Sequence, residues 1–382
     1  MSKSNNSIWI WQRMVTPHLA ALAAALVERG FKVNFVANEI LSKDRIQQGW
    51  KMPELGNVKL LLAPNKDTVI RYALNAPKDS IHLCQGLRGN GLVSYAQRVI
   101  RKRGLRHWAM METIDDSGWN GLIKKIFYRI LFLHWHSHLS GVLAVGQNTL
   151  DWVVARGMER SLVYPFAYFL KEPKINNLLN TSIKKNKKRP FRFIYVGNLS
   201  YNKKVSLIIK AIAALELQEI EFWIIGGGPE EKRLRSLANI LLPKKVSWLG
   251  VIPIKKVPAV IHQADCLVLP SRFDGWGAVV QEALMVGTPV VCSDKCGSSV
   301  VVEASKVGSV FSTNNLQALI NSLSNEYEKG VISSKQRQKI MKWSRCLSSS
   351  SGAKYLELVL NLKNNRLNLI NYLGIEIIKL YV

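Results

Sequence analysis

The sequence predicts an α/β protein with two doubly wound parallel sheets. Short apolar runs alternate with helical segments from Ser7 to Phe311, which is the pattern of parallel strands joined by crossover helices. At 382 residues, 48% of them hydrophobic, the chain is long enough for two packed domains of ordinary size. One polar, lysine-rich stretch interrupts the alternation, and we place the domain boundary there.

We therefore expect a first domain over residues 1–170, a basic linker over 171–190 and a second domain over 191–345. Residues 346–382 are expected to add C-terminal helices. The linker is recognised by its composition, because cations stand there among polar residues and no apolar periodicity continues through it.

The first domain begins with a strand over Ser7–Trp11. Thr16 can cap the following helix, in which Pro17 takes the first position and which Gly30 ends. Further strands are predicted at Phe31–Ala37, Val58–Leu62, Ile81–Cys84, Leu105–Met111, Gly141–Val145 and Leu162–Pro165, with a basic helix through Arg98–Arg103 and another helix over Asn148–Gly157.

The second domain repeats the alternation. Its strands are predicted at Phe191–Val196, Ile220–Ile225, Val246–Val251, Cys266–Leu269, Val290–Ser293 and Gly308–Phe311. Three glycines followed by Pro229 lack the spacing of a dinucleotide fingerprint. The last helices are expected at about Asn314–Lys329 and Ser334–Lys363.

The composition limits the partners and the compartment. Lys and Arg number 53 against 26 Asp and Glu, a formal net charge of +27, which indicates an anionic partner such as nucleic acid or anionic lipid. A solvated basic surface without a partner stays an alternative. Five scattered cysteines favour a reducing, cytoplasmic compartment. No signal peptide and no apolar run of the roughly 20 residues needed to span a membrane is expected.

The segment Leu122–Leu139 mixes large apolar residues with cations and histidines. It resembles a basic, aromatic helix that lies on a membrane surface. The alternative is an internal helix whose cations extend outward to solvent. His134 and His138 would share one face of this helix, but a metal site needs further ligands that the sequence does not offer, so we expect no metal.

The stretch from Pro270 to Ser293 carries the strongest functional signal. An apolar strand stops at Pro270, a loop with two glycines follows, and a helix begins at Ala278. Such a strand, loop and helix directs backbone N–H groups and the positive end of the helix dipole at the loop, which suits a phosphate. Asp274 and Glu282 would be repelled by that phosphate, so we expect them to bind hydroxyl groups of the same ligand.

This stretch resembles the signature of the family 4 glycosyltransferases, which are retaining enzymes of the GT-B fold. The family pattern is Pro-Ser, an acidic residue, Gly-Phe-Gly, a second acidic residue after seven intervening positions, and Gly-x-Pro-Val-Val. Asp274 stands where the family usually has Glu, and Trp276 where it has Phe. The resemblance implies two Rossmann-like domains facing a central cleft, with the last helices crossing back to the first domain.

The resemblance also implies a set of donor-site residues in the second domain. The segment from Gly197 to Lys204 is similar to the family's Val-Gly-Arg-Leu…Lys-Gly segment, so Lys203 matches its lysine and Asn198 replaces its arginine. Lys204, Arg272, Arg13 or backbone donors are expected to supply the missing charge. The implied catalytic residues are Asp274 and Lys203, and the implied donor-binding residues are Glu282, Gly275, Trp276, Gly277, Ala278, Asn198 and Arg272.

Acceptor-side residues are expected in the first domain. The loop after the first strand has no glycine, unlike the family's usual loop, and offers Arg13, with His18 at the start of the next helix. Glu112 stands where relatives often have a histidine, at the carboxyl end of a predicted strand. A helix-capping and solvated role is the alternative for all three residues.

The implied activity is transfer of a sugar from a nucleotide sugar to a saccharide or lipid-linked acceptor, with retention, in cell-surface polysaccharide biosynthesis. No cofactor is expected. We predict peripheral attachment to the anionic inner face of a membrane. Two alternatives remain: a GT-B-like nucleotide-sugar epimerase, and a basic nucleic-acid-binding protein, although no recognition helix or stacking motif supports the second.

Overall fold

The computed structural model describes residues 7–116, 118–173 and 189–361. Most of the predicted linker, and the tail beyond Asn361, lie outside these residues. The described residues fall into two compact units, those within 1–43, 52–171 and 347–382, and those within 44–51 and 172–346.

The first unit contains a seven-stranded parallel sheet in the order β3-β2-β1-β4-β5-β6-β7. Ile8 of β1 lies opposite Val33 of β2 and Ile81 of β4, so β1 is central and buried. The elements from Ser7 to Phe166 are β1 Ser7–Met14, α1 Pro17–Glu28, β2 Lys32–Glu39, α2 Lys43–Gln47, β3 Lys59–Leu62, α3 Lys66–Leu74, β4 Ile81–Gln85, α4 Val93–Lys102, β5 Arg106–Glu112, α5 Trp119–Trp135, β6 Gly141–Val145, α6 Gln147–Val154 and β7 Val163–Phe166. All but the first residue of α2 belong to the second unit.

The second unit contains a six-stranded parallel sheet in the order β10-β9-β8-β11-β12-β13. Its strand β11 is buried at every position and pairs with β8 and β12. The elements are β8 Phe191–Val196, α7 Val205–Ala214, β9 Ile220–Ile225, α8 Glu231–Leu241, β10 Val246–Gly250, α9 Val257–Ile261, β11 Cys266–Leu269, α10 Ala278–Met285, β12 Val290–Ser293, α11 Ser299–Ser305, β13 Gly308–Phe311, α12 Leu316–Glu328 and α13 Ser334–Ser344.

The prediction of one helix from Ser334 to Lys363 is wrong, because the structure has two separate helices in that stretch. After α13 the chain forms a short turn, and a separate helix, α14, spans Ser349–Asn361. The break occurs where Leu347 and Ser349 exchange backbone hydrogen bonds with Leu170. Helix α14 then packs on α1 within the first unit, where Arg29 and Glu357 form an ion pair.

Several local expectations also change in detail. Thr16 occupies the N-cap of α1, but its side chain does not cap the helix and its Oγ1 lies 3.2 Å from His18 Nε2. Helix α5 ends at Trp135, and His138 lies in the following turn, so His134 and His138 do not share a helix face. None of the five cysteines, all of which lie within the described residues, forms a disulfide. Within the described ranges, no helix is both long and apolar enough to cross a bilayer.

Candidate functional site

The loop between β11 and α10 leads into a helix whose N-terminus receives no side-chain cap. Gly277 has φ +79° and ψ 60°, and an added Cβ would lie 2.5 Å from Cys296 Sγ, so only glycine fits. Like α1, α4 and α7, helix α10 receives no cap from a side chain. The first N–H groups of α10 are therefore suited to an anionic ligand.

Asp274 lies in the same loop and contacts Lys203, the other predicted catalytic residue. Its carboxylate forms an ion pair with the Lys203 ammonium group, and Ser271 Oγ donates to Asp274 Oδ2 at 3.4 Å. The side chains of Lys203 and Asp274 are 24% and 15% exposed, so water screens the pair only in part. The backbone of Asp274 is fixed by bonds with Lys295 and Gly297.

Two further hydrogen bonds tie the loop after β8 to the loop after β11. Asn202 Nδ2 donates to the Phe273 carbonyl at 2.7 Å, and Arg272 N donates to the Asn202 carbonyl at 2.8 Å. These bonds flank the Lys203–Asp274 pair. The paired β8 and β11 strands end beside each other, which is why residues 71 positions apart meet at the carboxyl edge of the sheet.

Glycine packing holds the β8 loop in place. A Cβ on Gly226 would lie 1.9 Å from the Gly197 carbonyl oxygen, and one on Gly228 would lie 2.2 Å from Asn198 Oδ1. Leu199 N also donates to the Gly227 carbonyl at 3.0 Å. The three glycines of the sequence thus allow two backbones to approach closely.

Two more cations lie beside this loop. The Arg272 guanidinium lies 5.0 Å from the centre of the Tyr201 ring, and Lys204 Nζ lies 5.2 Å from it. Neither cation pairs with a carboxylate in the described part of the chain. Asn198 is exposed and its carbonyl accepts from the Tyr195 hydroxyl at 2.9 Å. Arg13 belongs to the first unit and forms an ion pair with Glu39 at 3.6 Å.

Glu282 lies on the second turn of α10 and is partly buried. Burial raises the pKa of its carboxyl group from 4.5 to about 7. Within the residues described, its side chain has no hydrogen bond or ion pair, so both carboxylate oxygens can accept bonds from a ligand. Trp276 is 2% exposed and its Nε1 donates to Gln281 Oε1 at 3.3 Å, so its indole is part of the core and only its backbone can face a ligand.

In the first unit, Tyr168, which was not among the residues predicted from the sequence, brings Glu112 and His18 together. The Tyr168 hydroxyl donates to Glu112 Oε1, and the Tyr168 ring stacks on His18 with centroids 3.8 Å apart. Burial, and then the adjacent Glu112 carboxylate, raises the pKa of Tyr168 well above its usual value, so the hydroxyl remains a donor. Arg13 is outside this cluster. Tyr168 follows a strand closely at the carboxyl edge of the sheet, and that position was the signal that could have identified it.

No group of three or more His, Cys, Asp or Glu side chains in the described ranges is arranged to hold a metal ion. His134 contacts Arg101, and His136 Nδ1 lies 2.7 Å from the Leu133 carbonyl oxygen. His134 and His136 therefore each have a protein partner of their own.

Solved structures resemble this chain over most of its length. Anabaena Alr3699/HepE in complex with UDP superposes with a TM-score of 0.70 and 14% identity, covering 93% of this chain and 99% of that one. The lipopolysaccharide outer core galactosyltransferase WaaB gives a TM-score of 0.67 and 15% identity, covering 93% and 99%. Together with the two parallel sheets, these similarities define a GT-B fold, as predicted.

Much of the second unit is also similar in sequence to known proteins. Residues 180–342 match the family model of glycosyl transferases group 1. The colanic acid biosynthesis glycosyltransferase WcaL of Salmonella typhimurium, a putative assignment for that protein, is 34% identical over 139 residues, 34% of each chain. The amylovoran biosynthesis glycosyltransferase AmsK of Erwinia amylovora is 29% identical over 140 residues, also 34% of each chain. The matches span about a third of the length of these curated relatives.

Proposed function

We propose that this chain is a glycosyltransferase that moves a sugar from a nucleotide-sugar donor to a saccharide or lipid-linked acceptor. Retention of the anomeric configuration and a role in cell-surface polysaccharide biosynthesis are parts of the proposal. The family match and the names of the relatives support it. The observation that carries it is the Lys203–Asp274 ion pair beside the start of α10, because one small region offers a cation, a carboxylate and the N-terminus of a helix.

The donor diphosphate is bound by positive charge on this unit. Lys203 and the N–H groups from Gly275 to Ala278 are the proposed phosphate ligands, with Arg272 supplying the charge that Asn198 lacks. Lys203 exchanges its Asp274 partner for phosphate oxygens in this proposal. Glu282 accepts hydrogen bonds from the ribose hydroxyls, and its carboxylate, which has no partner among the described residues, suits that role.

The chemical step follows from the charges that develop as the donor bond breaks. The bond between the anomeric carbon and the diphosphate oxygen lengthens, so negative charge grows on the leaving diphosphate and positive charge on the sugar ring. Fixed cations and N–H groups stabilise the leaving group more in the transition state than in the ground state. Asp274 orients the transferred sugar through its hydroxyl groups and lies on the side where positive charge develops.

The acceptor is assigned to the first unit. Glu112, held by Tyr168, offers a carboxylate oxygen to an acceptor hydroxyl, and His18 offers a ring beside it. Arg13 and its partner Glu39 form a second polar group near the end of β1. We propose that the acceptor is carried at a membrane and that the chain attaches to the anionic inner face, because its net charge is +27.

A panel of nucleotide sugars, beginning with UDP-glucose and other uridine nucleotides, tests the proposal. Purified protein is incubated with each donor and an extract of membrane acceptors, and released nucleotide and the anomeric configuration of the product are measured. We expect nucleotide release that needs both donor and acceptor and a product of retained configuration. A recovered donor with an inverted hydroxyl and no transfer would support the epimerase, and no reaction with any donor would contradict the proposal.

A further inference from the structure

Helix α5 has an apolar face on each of two opposite sides. One side carries Gly121, Tyr128, Phe132 and Trp135, which are buried in the first unit. The other carries seven large apolar residues that are 41% to 93% exposed. These seven, called here the α5 apolar face, are Trp119, Leu122, Ile123, Ile126, Phe127, Ile130 and Leu133.

The α5 apolar face is a continuous stripe. At about 100° per residue, its seven side chains fall within an arc of roughly 140°, centred opposite the buried side. Single exposed apolar residues are ordinary, but a contiguous patch marks an interaction surface. In the described residues, seven of eighteen exposed large apolar side chains lie on this one helix of 17 residues.

Cations border the stripe. Lys125 and Arg129 lie on α5 along one edge of the stripe, and the Arg88 guanidinium lies 4.1 Å from the centre of the Phe127 ring. The adjacent helix α4 ends with basic residues, of which Arg101 contacts His134 of α5. Helices α4 and α5 each contain three Lys or Arg residues, and neither helix contains a carboxylate.

The combination of an apolar stripe with bordering cations indicates which kind of partner binds this surface. A second copy of the chain, meeting this surface symmetrically, would bring the same cations against one another. Nucleic acid would neutralise the cations but would leave the apolar stripe in water. The headgroups of an anionic bilayer pair with Lys and Arg while its acyl region receives the apolar side chains, as for a helix lying in the interface plane.

We propose that α5 lies flat on an anionic lipid bilayer, with the α5 apolar face in the headgroup and acyl boundary and Lys125 and Arg129 at the phosphates. The inference rests on the membrane attachment proposed above and gives it a surface. It is independent of sugar transfer, because no residue of the donor site takes part.

Vesicle flotation tests the surface directly. The full-length protein is mixed with vesicles of phosphatidylglycerol and phosphatidylcholine, or of phosphatidylcholine alone, at low and high salt. We expect binding to the anionic vesicles that weakens with salt, and at least a tenfold loss of affinity in the double variant Ile126→Gln/Ile130→Gln, because two apolar side chains no longer enter the bilayer. Ile240→Gln, at a residue 76% exposed in the second unit, is the matched control and should bind like wild type.

Three results would overturn the inference, and each has a separate meaning. No binding of the wild type to anionic vesicles would remove the membrane attachment itself, while leaving the transferase assay unaffected. Equal binding of wild type and the double variant would place the contact elsewhere. The third result comes from an environment-sensitive dye attached to the variant Ile123→Cys. If the dye were shielded from water in buffer, before vesicles are added, the α5 apolar face would already be covered by protein.

Discussion

Lys203 and Asp274 lie 71 residues apart in sequence and form an ion pair beside the first turn of α10. Their charges are opposite and their proposed ligands differ, since Lys203 is to bind phosphate and Asp274 the transferred sugar. The carboxylate therefore competes with the diphosphate for the ammonium group. Because of this competition, replacement of Lys203 should weaken diphosphate binding, whereas replacement of Asp274 should preserve or strengthen it. The two variants can therefore be distinguished by their affinity for the diphosphate.

Asp274→Asn should lower kcat by about a hundredfold, because the charge beside the developing oxocarbenium ion is lost. The same change releases Lys203, so nucleoside diphosphate should bind as tightly as to wild type or about three- to tenfold more tightly. Asp274→Glu, which restores the residue usual in the family, should be milder. Steady-state kinetics and calorimetric titration measure both quantities. Wild-type turnover in Asp274→Asn would count against a role in the reaction.

Glu282 should give the donor reaction a pH dependence. With a pKa of about 7 in the folded protein, its carboxylate takes up a proton as the pH falls and then accepts hydroxyl hydrogen bonds less well. We expect kcat/KM for the donor to fall by about tenfold below pH 7. Glu282→Gln should remove this acid limb and raise the donor KM about ten- to a hundredfold. If the fall of kcat/KM at low pH persisted in Glu282→Gln, another titrating group would be responsible for it.

The same carboxyl group should affect stability in a predictable direction. Its folded pKa is raised above 4.5, so the folded state binds the proton more tightly and wild type loses stability as the pH rises from about 4.5 to 7. Glu282→Gln should therefore melt at a higher temperature than wild type at pH 8, and the difference should vanish near pH 4.5. Thermal unfolding at several pH values measures it, and a difference independent of pH would contradict the burial argument.

Gly277→Ala should damage the site through sterics, with Gly330→Ala as the control. Both glycines have similar positive φ, +79° and +74°, so both variants carry the left-handed penalty of roughly 1–2 kcal/mol. At Gly277 the new Cβ would also meet Cys296 Sγ at 2.5 Å, whereas nothing lies within 4 Å at Gly330. We expect loss of activity and a lower melting temperature for Gly277→Ala beyond the change in the control. Equal effects of the two changes would contradict the close packing.

Arg272 should carry the phosphate-binding charge that Asn198 does not. Arg272→Gln is expected to weaken nucleoside diphosphate binding about tenfold, since a hydrogen bond to a charged group contributes roughly 1.5–3 kcal/mol. Arg235→Gln removes a partly exposed guanidinium that lies over Trp248 and pairs with Glu231, away from the two loops, and should leave binding unchanged. An equal loss in both variants would indicate only a general effect of net charge.

The sequence predicted the sheets well because buried parallel strands are short, continuous apolar runs. Gly141–Val145, Cys266–Leu269 and Val290–Ser293 were located without error. The break between α13 and α14 was not predictable, because it depends on backbone pairing with Leu170, a contact far away in sequence. Helix α2 was missed because its five residues are too few to show a helical period.

The candidate site was predicted only in part. Motif spacing gave Asp274 and Lys203 separately, but their ion pair depends on the pairing of β8 with β11, which local patterns do not encode. Tyr168 was missed because an isolated tyrosine carries no motif. Trp276 was selected for its place in the motif, yet its burial follows from three-dimensional packing against residues such as Gln281. The boundary within residues 171–190 stays a prediction.

Calorimetric titration of nucleoside diphosphates into wild type and Lys203→Met measures whether Lys203 binds the donor diphosphate. We expect at least one diphosphate to bind wild type at least a hundredfold more tightly than its nucleoside, since the phosphates supply charge-assisted bonds. We also expect Lys203→Met to weaken diphosphate binding more than tenfold and to leave nucleoside binding unchanged. If every diphosphate bound no better than its nucleoside, or if Lys203→Met bound diphosphate like wild type, the second unit would not be the donor site described above.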